Sequence, residues 1–340
     1  MVQLNPMIKN RILSICIPTY NRCEVLLNSV SNILKSTDQR FNIIVCDDSN
    51  NEETVNSLHN IKDERLIVLK NSHALRFTNV TFCLTKATGD YCLLLLDKDT
   101  INIDYLSSFI DILKNNDIAL GYIKLSSQRV GVIQKFNQGY PSILNMAYLS
   151  KHCSGYFYKS RLYQHSKTVN TIIENNDLFP FPFELVNSEL SQAGMSIIID
   201  LPILILETPQ DSAKISSGNF IGKDIYFMPS NRKIEFKRYC CNLMKLDGIS
   251  RFHKGIILQK FFYRYLFSVT TGLKYTLLNP IVCSHSKIPC HKMTVFELIK
   301  QLYIASTCYW TSTSWIGIYR IPIYLKCIIR NICSIIKASL

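Results

Sequence analysis

The first 88 residues contain no glycine, although they alternate short apolar runs with segments of helical periodicity. The apolar runs Ile12–Ile17, Asn42–Cys46, Leu66–Leu69 and Tyr91–Leu96 have the length of buried strands. Continuous apolar strands separated by helices predict a parallel sheet covered on both faces. Dinucleotide-binding and P-loop proteins need glycine at the first strand-to-helix turn, where backbone amides approach phosphate. The sequence therefore predicts an α/β fold of another kind.

Local signals predict where several helices begin and end. Asn21 with Glu24 resembles a capping box at the start of the first helix, and Gly89 is well placed to stop a later one. Further predicted elements are helices at Tyr105–Leu113 and Phe183–Ala193 and strands at Ile118–Leu125 and Tyr156–Tyr158.

Polar clusters follow three of the predicted strands: Pro18–Arg22, Asp47–Asp48 and Asp97–Asp99. In open α/β sheets, ligands bind outside the carboxyl ends of the strands. We therefore expect these clusters to share one edge of the sheet. An ordinary capped strand-to-helix turn is the alternative explanation for Asp47 and Asp48.

Asp97 and Asp99 are candidate metal ligands. In an extended segment, residues two apart point the same way, so both carboxylates would face one cation while Lys98 points away. Hard oxygen ligands suit Mg²⁺ or Mn²⁺, which commonly bind through one or two carboxylates plus substrate phosphates. An acidic turn without a ligand is the alternative. A nearby arginine, Arg76, is a second candidate for contact with a diphosphate, because guanidinium matches phosphate geometry.

Four segments closely resemble, in order and spacing, the family-2 glycosyltransferases of the GT-A fold: Ser14–Arg22, Ile43–Ser49, Ala87–Tyr91 and Asp97–Asp99. The resemblance covers about residues 12–115 strongly and 150–210 loosely, and residues 79–99 look most like the abequosyltransferase-type branch. It implies a mostly parallel GT-A sheet flanked by helices. It also implies inverting transfer of a hexosyl or deoxyhexosyl group from a nucleoside diphosphate donor to a hydroxyl.

Site roles are also implied by this resemblance. Pro18, Tyr20 and Arg22 would border the nucleotide, and Asp47 or Asp48 would accept hydrogen bonds from its base or ribose. The diphosphate and metal site carries over to Asp97 and Asp99. Lys98 departs from the branch, which usually has a third acidic residue there, and a lysine could pair directly with phosphate.

A general base is needed to take the acceptor proton in an inverting transfer. Family members often place an acidic residue for this role at the start of a helix, about ten residues before a glycine. The resemblance implies Glu184 here, ahead of Gly194, with Glu189 as the second candidate. The paired acidic motif usual in the family is absent, and both glutamates are also compatible with a solvated helix face.

Charge divides the chain into two parts. Residues 1–230 hold 21 Lys and Arg against 22 Asp and Glu, whereas residues 231–340 hold 17 against 3. We predict a catalytic domain over 1–230 and a helical, basic region over 231–340. Cations interleaved with large aliphatic and aromatic residues, including Arg320 and Lys326, are typical of a segment at an anionic membrane surface. Nucleic acid is a less favoured partner, because no RNA-binding motif accompanies the charge.

The combined prediction is an enzyme of surface polysaccharide synthesis, making capsule or O-antigen from a nucleotide sugar and a lipid-linked or oligosaccharide acceptor. Thirteen cysteines without disulfide-framework spacing, and an N-terminus unlike a signal peptide, predict a cytoplasmic protein, peripheral on the inner face of the cytoplasmic membrane. Two alternatives stay open: a sugar-phosphate nucleotidyltransferase, and a non-catalytic membrane-associated nucleotide-binding module.

Overall fold

The structure, a computed structural model, describes residues 11–124, 130–149, 151–175, 182–207 and 226–339. The chain forms two compact units, Met1–Thr208 and Pro209–Leu340. The predicted division at residue 230 differs from this one by a stretch that includes residues 208–225, which lie outside the described residues.

An eight-stranded sheet forms the centre of the first unit, with strand order β3-β2-β1-β4-β8-β6-β9-β7 among the described residues. Strands β1 to β4 run parallel, β8 is antiparallel to its neighbours β4 and β6, and β7 is antiparallel to β9. Strands β5 and β10 form a separate antiparallel pair. The bounds are β1 Leu13–Thr19, β2 Phe41–Asp47, β3 Leu66–Lys70, β4 Tyr91–Leu94, β5 Thr100–Ile101, β6 Leu120–Ile123, β7 Val132–Phe136, β8 Tyr156–Lys159, β9 Ser196–Asp200 and β10 Leu204–Ile205.

Helices flank this sheet, so the predicted mostly parallel α/β architecture is confirmed. Alternate residues of one strand enter two separate hydrophobic clusters: Ile15 and Ile17 pack in one, and Cys16 packs in the other. Both faces of the sheet are therefore buried, which explains the continuous apolar character of its strands. The helices are α1 Cys23–Leu34, α2 Glu53–His59, α3 Thr78–Thr85, α4 Leu106–Lys114, α5 Tyr140–Met146, α6 Ser160–Gln164, α7 Lys167–Glu174 and α8 Pro182–Ala193, with a 3₁₀ helix at Ile103–Tyr105.

Two of the predicted helix signals were wrong. Helix α1 has Arg22 at its N-cap and no side-chain capping hydrogen bond, and Asn21 before it takes a left-handed backbone conformation (φ 53°). Helix α3 ends at Thr85, before Gly89. A Cβ atom at Gly89 would lie 2.9 Å from the carbonyl carbon of Leu13, so close backbone packing beside β1 accounts for this glycine.

The second unit is helical over its described residues, as the sequence predicted. Two of its helices, Arg251–Val269 and Arg320–Ser339, pack against each other. No helix in the described ranges combines the length and the apolar character needed to cross a bilayer. The helices are Pro229–Lys245, Arg251–Val269, Thr271–Leu278, Pro280–His285, Val295–Ser312 and Arg320–Ser339, with a 3₁₀ helix at Ser314–Tyr319.

Candidate functional site

Asp97 lies where the chain leaves β4, beside the end of β1, and its carboxylate has two partners from the β1 side. The Thr19 hydroxyl donates to Oδ2 at 3.0 Å, and the Arg22 guanidinium donates to Oδ1 at 3.1 Å. The residue is 8% exposed. Burial raises the pKa of Asp97, while the charge of Arg22 and the hydrogen bond from Thr19 oppose that shift. The chain thus fixes this carboxylate at the sheet edge with a cation beside it.

Asp99 is bound by a different part of the chain. The Ser154 hydroxyl donates to its Oδ2 at 2.5 Å, and the backbone N–H of Glu207 donates to its Oδ1 at 3.1 Å. Nε2 of His152 lies 4.0 Å from the same Oδ2. Burial lowers the pKa of His152 against the opposing charge of Asp99, which favours a neutral imidazole at this site.

The segment between the two aspartates is a turn, so the prediction of an extended segment was wrong. Asp97 and Lys98 occupy the turn, and the N–H of Asp99 donates to the carbonyl of Leu96 at 3.0 Å. The turn follows β4, which ends at Leu94. The rule that residues two apart point the same way holds for extended segments and therefore does not apply to Asp97 and Asp99.

The donor atoms at this turn suit a divalent ion only in part. Carboxylate oxygens are suitable ligands for Mg²⁺ or Mn²⁺. Across the described residues, however, no group of three or more His, Cys, Asp or Glu side chains is placed around a common point. The residues present therefore fit an ion that takes one or two protein carboxylates and completes its coordination with ligand oxygens.

Lys98 adds a cation to the turn. Its side chain is 25% exposed, and its Nζ lies 3.9 Å from a carboxylate oxygen of Glu207. Together with Arg22 it places two positive charges near the carboxylates of Asp97, Asp99 and Glu207. Such a mixed set can contact an anionic ligand directly as well as through a cation.

Asp47 and Asp48, at the end of β2, are buried and already have protein donors. Asp47 accepts from the ammonium of Lys70 at 2.9 Å and from Ser49. Asp48 accepts from the backbone N–H of Leu75 at 2.8 Å and, through its other oxygen, from that of Arg76 at 2.7 Å. This geometry favours the structural alternative, in which both carboxylates hold loops in place. Their predicted contact with a base or ribose stays a prediction.

The remaining residues predicted to contact the nucleotide lie at the same edge. Pro18 is buried within β1, and Tyr20 follows that strand with partial exposure. The side chain of Arg76 is exposed, and its backbone is left-handed (φ 51°) where its N–H bonds to Asp48. These positions are compatible with the predicted contacts, which stay predictions.

Several contributors to this edge were not predicted as site residues: Thr19, Lys70, His152, Ser154 and Glu207. Ser154 and His152 reach the turn because β8 runs antiparallel to β4, with Leu93 paired to Phe157. The start of β8 therefore lies beside the end of β4. A polar group directly before the apolar run at Tyr156 is the available sequence signal, and it becomes informative only when the direction of β8 is known.

Glu184 and Glu189 have different surroundings from those expected of a solvated helix face. Glu184 is fully buried and accepts from the backbone N–H of Leu149 at 2.8 Å, from that of Lys151 at 3.2 Å and from the hydroxyl of Tyr156 at 3.0 Å. Burial raises its pKa, and these hydrogen bonds oppose the shift. The carboxylate thus fixes the backbone that leads to His152.

The carboxylate of Glu189 lies at the start of α7. It accepts from the hydroxyl of Ser166 at 2.9 Å and from the backbone N–H groups of Lys167 and Thr168. These are donors that a helix N-terminus leaves without intrahelical partners. The geometry gives Glu189 a capping role, and its predicted role as a base stays a prediction.

The first unit contains the segment that matches a known family. Residues 14–170 match the model of the family described as glycosyl transferase family 2. Over 144 residues, the chain is 27% identical to the Escherichia coli protein named UDP-Glc:alpha-D-GlcNAc-diphosphoundecaprenol beta-1,3-glucosyltransferase WfaP. That match covers 42% of this chain and 57% of WfaP. The E. coli protein WfgD, named for the same activity, is 24% identical over 191 residues, covering 56% of this chain and 70% of WfgD.

Solved structures share the fold over most of the chain. The crystal structure of S. aureus TarS 1-349 aligns with a TM-score of 0.59 and 15% identity, over 96% of this chain and 90% of that one. The complex of the same protein with UDP-GlcNAc gives a TM-score of 0.58 at 15% identity, with the same coverage of both chains. This likeness shows the fold, a GT-A-type sheet flanked by helices.

Proposed function

We propose that this chain, whose residues 14–170 match the glycosyl transferase family 2 model, transfers a sugar from a nucleoside diphosphate donor to a hydroxyl of a lipid-linked acceptor. The observation that carries the proposal is the Asp97–Asp99 turn at the carboxyl ends of β1 and β4, with the cations Arg22 and Lys98 beside it. Parallel α/β sheets bind their ligands at this edge. The turn is where a departing diphosphate would be stabilised.

The names of the relatives support particular substrates. WfaP and WfgD are both named for UDP-Glc as donor and a GlcNAc-diphosphoundecaprenol acceptor. We therefore propose a UDP-hexose donor and a polyprenyl diphosphate-linked acceptor, in the synthesis of capsule or O-antigen at the inner face of the cytoplasmic membrane. A deoxyhexose donor, as the abequosyltransferase-type resemblance implies, is the alternative.

Each residue of the turn has a proposed role. Asp99 and Asp97 would hold Mg²⁺ or Mn²⁺, and the ion would supply Lewis-acid stabilisation of the leaving group. Arg22 and Lys98 place positive charge where the diphosphate oxygens carry negative charge. Pro18, Tyr20 and Arg76 border the nucleotide. Thr19 and Ser154 keep the two carboxylates in position.

Inversion at the anomeric carbon requires a base on the face opposite the leaving group. The residue predicted for this role is Glu184, and we propose that it acts by positioning other groups. Its burial and its three protein donors favour a positioning role, in which it fixes the backbone that carries His152 and Ser154. Removal of Glu184 would therefore disturb the surroundings of Asp99, even though Glu184 itself is fully buried.

The test begins with the donor. The purified full chain is screened by thermal shift against UDP-, GDP-, CDP- and dTDP-sugars, with and without Mn²⁺, and the stabilising donor is then assayed with a GlcNAc-diphosphopolyprenol acceptor. The proposal predicts stabilisation by a UDP-sugar, release of UDP, and a product of inverted anomeric configuration by NMR. Release of pyrophosphate would instead identify a nucleotidyltransferase. Nucleotide binding that is unaffected by chelator, with no turnover on any donor, would identify a binding module.

A further inference from the structure

The helix Arg320–Ser339 exposes a continuous apolar stripe, the C-terminal stripe, along almost its whole length. Its members recur at intervals of three and four residues, so they fall within about 80° of the helix circumference and extend over roughly 22 Å. Each member is between 41% and 61% exposed. The C-terminal stripe consists of Ile321, Leu325, Ile329, Ile332 and Ile336.

The opposite face of the same helix is buried against the second unit. Cys327 donates its thiol to the carbonyl of Gln259 at 3.5 Å, and the amide of Asn331 donates to the hydroxyl of Thr270 at 3.2 Å. Ile323 and Ile335 are each 7% exposed. The helix is therefore fixed by one face, and the C-terminal stripe is left on the outside by this packing.

A second helix of the same unit exposes apolar groups in the same manner. On Val295–Ser312, the side chains of Phe296 and Tyr303 are 75% and 74% exposed, and Ile299 between them is 55% exposed. The ring centroids of Trp310 and Tyr324 are 5.0 Å apart, so the two helices meet where one ends and the other begins. Large exposed apolar groups on a helix indicate an interaction surface, and the C-terminal stripe is the longer of these two sets.

Charge indicates what this surface contacts. The helix 320–339 has four basic residues and no acidic residue. Lys326, Arg330 and Lys337 are exposed and fall together on one flank of the C-terminal stripe. The guanidinium of Arg330 also lies 4.1 Å from the ring centroid of Tyr263. A second copy of the chain placed on the stripe would bring like charges together, whereas anionic headgroups beside an acyl layer match both the stripe and its flank.

We propose that the C-terminal stripe lies on the surface of a bilayer containing anionic lipid, with its aliphatic side chains at the acyl boundary and its lysines among the headgroups. The biological meaning of this inference rests on the proposed function, since a polyprenyl-linked acceptor is held in the same bilayer. The physical argument depends only on the second unit. Attachment at the interface requires no helix that crosses the membrane.

Vesicle co-sedimentation of the full chain tests this inference. Binding to vesicles of phosphatidylglycerol and phosphatidylcholine is compared for the wild type and the double variant Leu325→Glu/Ile329→Glu. We expect at least about a tenfold loss of binding, because two aliphatic groups no longer enter the acyl boundary. The matched control is Val130→Glu/Val132→Glu, which changes two exposed valines of the first unit, 60% and 41% exposed, and should bind as the wild type does.

Charge and chemistry provide two further comparisons. Lys326→Gln and Lys337→Gln should each weaken binding to the anionic vesicles about fivefold and leave weak binding to pure phosphatidylcholine unchanged. Transfer to a water-soluble acceptor should be the same in the stripe variant and the wild type.

Wild-type chain that stays in the supernatant, or a stripe variant that sediments fully, overturns the membrane inference. A wild type that dimerises through the stripe, as light scattering would show, overturns it in favour of a second copy. Vesicle binding without any transfer would overturn the proposed function alone.

Discussion

The acidic turn of the first unit and the C-terminal stripe of the second depart from the usual distribution of side chains in opposite ways. At the turn, Asp97 and Asp99 are buried, and each has donors supplied by its own unit. In the stripe, aliphatic groups such as Ile329, which is 61% exposed, face outward from a helix whose other side is packed. Buried polar groups and exposed apolar groups are the informative departures in a folded chain.

The difference lies in where the compensating partners are found. A buried carboxylate without donors would be costly, so the first unit supplies hydroxyl, guanidinium and backbone donors to it. The chain cannot bury the exposed aliphatic groups in the same way, because the opposite face of their helix is the one that packs against the unit. In the two proposals, the first unit is organised around a ligand that enters a polar edge, whereas the second presents a surface to a partner outside the chain.

The largest effect that would sharpen this comparison is expected at Glu184. Glu184→Ala leaves two backbone N–H groups and the Tyr156 hydroxyl without their acceptor in a buried site. We expect a loss of about 3–5 kcal/mol in the free energy of unfolding, measured by urea denaturation. Glu184→Gln keeps the size and one acceptor, and should recover most of this stability and of the transfer activity. Equal stability of Glu184→Ala and the wild type would contradict the buried network.

The pH dependence of the same variants gives the sign of the Glu184 contribution. Burial holds the pKa of Glu184 above its usual value of 4.5 in the folded chain, so the folded state binds a proton more readily than the unfolded state. This group's contribution to stability therefore decreases as the pH rises from about 4.5 through the folded pKa. Glu184→Gln should remove that decrease from the unfolding free energy measured across this range.

A smaller effect is expected at Asp38, another hydrogen-bonded carboxylate that lies nearer the solvent. Hydrogen bonds from the Arg40 guanidinium lower the pKa of Asp38 from 3.8 to about 2. Its stabilising contribution is thus present above pH 3.8 and lost as the pH falls through about 2. Asp38→Asn should cost about 1 kcal/mol at neutral pH after solvent screening of the partly exposed arginine, and less as the pH approaches 2.

The control for this measurement is Asp117→Asn. The side chain of Asp117 is 86% exposed and pairs with Lys159, so its removal should leave the unfolding free energy unchanged. Denaturation of both variants at several pH values gives the comparison. A cost at Asp117 equal to that at Asp38 would show that burial does not control these interactions.

The sequence predicted the sheet well because buried parallel strands have a signature that is local along the chain. Runs such as Ile12–Ile17 are apolar on both faces, and the polar clusters after them mark one edge of the sheet. The helical, basic character of the second unit was equally accessible. In both cases the signal depends on neighbouring residues only.

The details that sequence could not predict depend on distant parts of the chain. Gly89 was taken for a helix stop, whereas the backbone of β1, more than 70 residues earlier, leaves no room for a Cβ there. The partners of Asp99 come from residues 152–154 and from Glu207, and the antiparallel direction of β8 brings the first of these to the turn. Which face of the helix 320–339 is buried likewise depends on its packing against residues 251–269.

The central claim, that the Asp97–Asp99 turn stabilises the departing diphosphate, is tested most directly by measuring sugar transfer in Asp99→Asn. The change removes one negative charge while keeping the size of the side chain, and Asp104→Asn, an exposed aspartate five positions away, is the matched control. We predict that transfer falls by at least about a hundredfold in Asp99→Asn while the chain stays folded, and that it stays at the wild-type rate in Asp104→Asn. Full activity of a folded Asp99→Asn chain would contradict the account.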